Sequence, residues 1–126
     1  MGIKVKIRNL AGNPILEIHG KVSSGDAIKI SKKLEGYAGK PCQKVIVDLS
    51  TIDYIDSHWL GVFVYSWKLL KESNKELVFI IPPGFIRDLF KNSNLDRTFT
   101  IVNSLSDVAS LLTSVATPEA DLSGQA

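Results

Sequence analysis

The chain has 126 residues, which is the length of one domain with a single hydrophobic core. Its formal net charge of +2 is too small to indicate nucleic acid or an anionic membrane surface as a partner. A single cysteine, Cys42, excludes an internal disulfide and a cysteine-based metal cluster. No apolar run is long enough to span a bilayer. We therefore expect a cytoplasmic protein.

The first forty residues predict a β-hairpin followed by a helix. Residues 3–7 alternate apolar and polar side chains, as a half-exposed strand does, and residues 15–18 form the returning strand. Between them, residues 9–14 supply turn formers. Three residues that favour helix N-caps then precede apolar residues at helical spacing: Ser23, Ser24 and Asp26.

The rest of the chain predicts strands that alternate with helices. The segments are a buried strand over 45–49, a helix over 57–73, a buried strand over 77–81, a helix over 84–94, a short strand over 99–102 and a last helix capped by Ser104 or Ser106. This order predicts an α/β fold with a mainly parallel or mixed sheet and helices packed on it. We expect one domain over residues 1–115 and a disordered tail over 116–126, where the chain becomes small and polar.

No pattern in the sequence indicates an enzyme. Ser57 and His58 are neighbours, but adjacent helical side chains point about 100° apart, so they cannot act as nucleophile and base on each other. Three aspartates, Asp48, Asp53 and Asp56, could converge near a strand end on Mg²⁺, but turn formation and capping also explain them and are the favoured interpretation for Asp53. A phosphate-binding glycine loop is missing. We therefore expect no catalytic residue, no metal and no cofactor.

The junction at Asp56 and Ser57 is the most informative segment. A buried strand leaves through polar residues and enters a helix at one of these two residues, and either side chain could cap the first free N–H groups. A phosphate on Ser57 would place about −1.5 to −2 charges at the positive end of the helix, which the fold can tolerate. Its effect would fall on a partner docked over the junction.

The residues around this junction resemble the signature of STAS domains, the anti-sigma factor antagonists. The resemblance rests on the strand 45–50, which ends in Asp-Leu-Ser, on Tyr54 to Ser57, and on Leu60-Gly61-Val62. It extends over roughly residues 3–115. It implies a mixed, mainly parallel sheet of four to five strands with helices on one side and an N-terminal strand beside it.

The resemblance also implies a regulatory binding protein of the bacterial cytoplasm. Its partners would be an anti-sigma factor that is also a serine kinase, which phosphorylates Ser57, and a phosphatase that reverses the reaction. The surface expected to bind the partner comprises Asp56, Ser57, His58, Trp59, Ser23 and Ser24. The oligomeric state is left open by the sequence, and a homodimer is one possibility.

This chain departs from the family pattern directly after the serine. The family has Ser or Ala and then Gly, whereas this chain has His58 and Trp59. Trp59 is either an exposed binding anchor or part of the core. The alternative function is a STAS scaffold subunit of a transporter or signalling assembly that is not phosphorylated.

Overall fold

The architecture comes from a computed structural model that describes residues 3–116, and for Ser24 and residues 113–116 only the backbone. The five strands are β1 (Lys4–Leu10), β2 (Asn13–His19), β3 (Lys44–Asp48), β4 (Glu76–Ile80) and β5 (Thr100–Val102). The four helices are α1 (Ser24–Glu35), α2 (Ser57–Glu72), α3 (Phe85–Asn92) and α4 (Leu105–Ala116). The predicted order of strands and helices is confirmed.

The strands form one mixed sheet in the order β1-β2-β3-β4-β5. Only β1 runs antiparallel to its neighbour, and the other three pairings are parallel, which confirms the predicted mainly parallel sheet. The hairpin turn is shorter than expected because β1 continues to Leu10 and β2 begins at Asn13. Ala11 and Gly12 form the turn with φ of 53° and 85°, the left-handed backbone that two-residue hairpin loops require.

The two faces of the sheet bury different residues because side chains alternate along each strand. Val45 and Val47 of β3 belong to the larger core, which α1, α2 and α3 cover. Ile46, between them, belongs to a smaller core that is closed by Val108 of α4. The expectation of helices on one side only is therefore wrong, since α4 packs on the opposite face.

The ends of the chain are only partly described. The expected tail over 116–126 lies outside the described residues except for Ala116, which ends α4. The domain boundary at residue 115 and the disorder of the tail stay predictions. Among the described helices, none is both long and apolar enough to cross a membrane.

Candidate functional site

The Asp56–Ser57 junction lies at the edge of the sheet where the parallel strands end. The loop from Leu49 to Asp56 leaves the carboxyl end of β3 and leads into α2. Three of its side chains are buried and fix its path: Leu49, Ile52 and Ile55. At its start, the Ser50 N–H donates to Asp48 Oδ1 at 2.9 Å, an aspartate turn that ends the strand. The three buried side chains thus hold the loop against the hydrophobic core.

Asp56 is the N-cap of α2, and Ser57 is the first helical residue. The backbone of Asp56 is extended, with φ −111° and ψ 179°, and its Oδ1 accepts a hydrogen bond from the Trp59 N–H at 3.2 Å. Of the two capping residues that the sequence left open, Asp56 is therefore the cap. Ser57 is exposed, and no side-chain hydrogen bond joins it to another described residue.

Trp59 is a core residue. Its side chain is fully buried, packs against Phe63 with ring centroids 5.8 Å apart, and donates from Nε1 to the Ser23 carbonyl oxygen at 2.9 Å. The expectation that Trp59 contacts a partner is wrong for this reason. Because the indole points inward, it also leaves the space around Ser57 open. His58, by contrast, is exposed beside Ser57.

The hydrogen bond from Trp59 brings the N-termini of α1 and α2 together. Ser23 is the N-cap of α1, and its N–H and hydroxyl donate to the buried Asp26 carboxylate at 3.2 and 3.0 Å. The exposed Ser23 therefore lies on the same side of the molecule as the Asp56–Ser57 junction. Ser24, the first residue of α1, follows it, but its side chain is outside the described part.

A polar network that the sequence did not reveal holds the loop against the hairpin. Thr51 Oγ1 donates to the Ile18 carbonyl at 3.0 Å and lies 3.0 Å from His19 Nδ1. His19 Nε2 lies 3.4 Å from Glu17, which Arg8 also contacts at 2.5 Å. Burial raises the pKa of the Glu17 carboxyl, but the hydrogen bonds and charges of Arg8 and His19 outweigh it and lower that pKa. No spacing rule links these positions, which lie on separate segments.

Two exposed aromatic rings stack on each other beside the loop that leads to the junction. Tyr54 stacks on Phe85 of α3, with centroids 6.3 Å apart and planes 11° from parallel, and both side chains are 57% exposed. Beside this pair, a cleft of about 210 Å³ separates the loop of Ser50 and Asp53 from the segment after β4. The sequence placed Phe85 in a helix but gave no sign that it would meet Tyr54.

Among the residues with described side chains, no group of three or more His, Cys, Asp or Glu could hold a metal ion. The ring nitrogens of His19 face Thr51 and Glu17, so this histidine does not serve Ser57 as a base. Instead, the junction presents an exposed hydroxyl at a helix N-terminus, with exposed aromatic rings beside it.

Comparison with known proteins gives consistent matches along most of the chain. A family model, the STAS domain, matches residues 4–108. The anti-sigma-B factor antagonist of Listeria monocytogenes is 30% identical over 104 residues, which are 82% of this chain and 91% of that protein.

Solved structures share the fold at lower sequence identity. An anti-sigma factor antagonist from Mycobacterium paratuberculosis has a TM-score of 0.77 and 15% identity, over 87% of this chain and 93% of that one. The Bacillus cell fate determinant SpoIIAA in its phosphorylated form has a TM-score of 0.67 and 12% identity, over 86% and 99%. With the family model matched over residues 4–108, the chain belongs to the STAS domain family.

Proposed function

We propose that this protein is an anti-sigma factor antagonist that binds an anti-sigma factor through the surface around Ser57. The observation that carries the proposal is the position of Ser57, exposed at the first residue of α2 while Asp56 provides the cap. Because the cap does not need Ser57, its hydroxyl is available at the surface. The Listeria relative is named an anti-sigma-B factor antagonist, which supports the same role here.

We further propose that phosphorylation of Ser57 by a partner serine kinase switches this binding off, and that a phosphatase restores it. A phosphate there meets the positive end of α2, so the helix tolerates its charge. The neighbouring Asp56 carboxylate repels it and keeps it directed outward. The added charge then acts on the docked partner through sterics and repulsion. SpoIIAA, which shares the fold, has been seen in a phosphorylated form.

In this proposal the protein is a binding protein and the substrate of the kinase, with no turnover of its own. Asp56 shapes the acceptor site, while the exposed Ser23 and His58 extend the surface around Ser57. His58 stands where the family pattern has a small residue, so it bears directly on how closely a kinase can approach. If the His58 side chain prevented the kinase from reaching Ser57, the alternative function would be favoured, a scaffold subunit that is never phosphorylated.

The test uses the purified chain and the anti-sigma factors of its own organism, each tested for binding and, with ATP, for phosphate transfer. We expect one of them to bind in the micromolar range or tighter and to phosphorylate Ser57, located by mass spectrometry of the peptide that contains it. The Ser57→Ala variant is the matched control and should bind without being phosphorylated. Ser57→Asp should fold normally and bind at least about ten-fold more weakly, which corresponds to about 1.4 kcal/mol.

Two outcomes would contradict the proposal in different ways. Binding without phosphate on Ser57, and with unchanged affinity for Ser57→Asp, would remove the switch and leave a constitutive binding protein. Failure to bind any anti-sigma factor, together with recovery of transporter subunits from the native cell, would support the scaffold alternative instead.

A further inference from the structure

Neither the backbone conformation nor the space around position 61 of α2 requires a glycine there. Gly61 is the fifth residue of a 16-residue helix, it is exposed, and its backbone is not in the left-handed region. Apart from its chain neighbours and the nearby backbone of its own helix, a Cβ atom built on it meets no atom within 4 Å. Glycine inside a helix is unfavourable relative to alanine because it loses more backbone entropy on folding. The fold by itself would therefore favour alanine at this position.

Gly61 lies on the face of α2 that also carries Ser57. It follows Ser57 by four residues and precedes Tyr65 by four, so the three share one side of the helix. Ser57 and Gly61 are exposed, and Tyr65 is 55% exposed. With the stacked Tyr54 and Phe85 beside the loop, these five residues form what we call the Ser57 surface. Gly61, which has no side chain, thus lies between Ser57 and the exposed ring of Tyr65 along this face of the helix.

We propose that Gly61 is a partner-contact residue, kept without a side chain so that the main chain of the anti-sigma factor can pack directly against α2 beside Ser57. This inference rests on the proposed function and names the partner of the same site. It explains why a helix residue that costs stability lies next to the phosphorylation site. Tyr65 and the Tyr54–Phe85 pair provide the large, rigid apolar contacts that such an interface favours.

The test compares Gly61→Ala with a matched control, Gly39→Ala. Gly39 is also exposed, also has no atom within 4 Å of a built Cβ and also has no left-handed φ, but it lies in the turns after α1, away from the Ser57 surface. Each variant is measured for its urea unfolding midpoint and for its affinity for the anti-sigma factor that the wild-type chain binds. Surface plasmon resonance with the unphosphorylated proteins gives the affinity.

We expect Gly61→Ala to unfold at a higher urea concentration than the wild type and to bind about 5-fold to 100-fold more weakly. The loss follows from one methyl group forced into a close-packed contact. Gly39→Ala should bind like the wild type. Higher stability with weaker binding would be the signature of a contact glycine, since damage to the fold would lower both.

The outcomes separate this inference from the proposed function. If the wild type binds and Gly61→Ala binds equally well, the inference is wrong and the proposed function stands. It is also wrong if Gly39→Ala weakens binding as much, or if Gly61→Ala unfolds more easily than the wild type. If the wild-type chain binds no anti-sigma factor, both fail together.

Discussion

Replacement of Asp56 by alanine tests the assignment of the helix cap, on which the availability of Ser57 depends. The substitution removes the 3.2 Å hydrogen bond from the Trp59 N–H to Asp56 Oδ1. Loss of an N-cap side chain costs about 0.5–2 kcal/mol, and loss of a negative charge at a helix N-terminus costs about 0.3–1 kcal/mol at exposed sites. Because Asp56 is only partly exposed, we expect a total near 1–2 kcal/mol.

For a domain of this size, that loss lowers the Tm by about 4 °C for each kcal/mol. Urea unfolding followed by circular dichroism gives the free energy, and Asp56→Asn serves as the control that keeps a capping oxygen without the charge. We expect Asp56→Asn to lose less than half as much as Asp56→Ala. Ser57→Ala, at a position that does not cap, should change the free energy of unfolding by less than about 0.5 kcal/mol.

The losses of stability in Asp56→Ala and Ser57→Ala, compared with each other, decide which residue caps α2. If Ser57→Ala costs as much as Asp56→Ala, the helix begins one residue later and Ser57 is the cap. The hydroxyl would then be engaged in holding the helix, and a phosphate on it would disturb the fold itself. Phosphorylation of Ser57 would then not act on the surface alone.

Two further substitutions test the core beneath the site. Trp59→Phe should lower the free energy of unfolding by about 2–3 kcal/mol, because the indole N–H bond between α1 and α2 is lost and a small cavity remains; a loss below about 0.5 kcal/mol in urea titrations would show that the indole is not buried. Ser66→Ala should raise the free energy of unfolding by about 1 kcal/mol, since the Ser66 hydroxyl is fully buried and has no hydrogen-bond partner among the described residues. A lower urea midpoint for Ser66→Ala would mean that the hydroxyl has a partner after all.

Local patterns in the sequence were sufficient for the secondary structure. The alternation over residues 3–7 and the continuous apolar runs over 45–49 and 77–81 depend only on how side chains are spaced along a strand. The alternation of strands with helices predicted a mainly parallel or mixed sheet, and the resemblance around Asp56 and Ser57 pointed to the fold family. The sequence alone predicts these features because each of them depends on residues that are close to one another along the chain.

The tertiary structure decided whatever depends on partners far away along the chain. Trp59 is in the core because its indole finds the Ser23 carbonyl 36 residues earlier, and no helical pattern could predict that bond. Likewise, α4 lies on the second face of the sheet because Ile46 and Val78 leave an apolar surface there for Val108 to cover. The sequence by itself determined that Asp56 and Ser57 begin a helix. Only the structure decided that Asp56 caps it and that Ser57 is left at the surface, because both residue types can cap and the choice depends on which of them has the extended backbone.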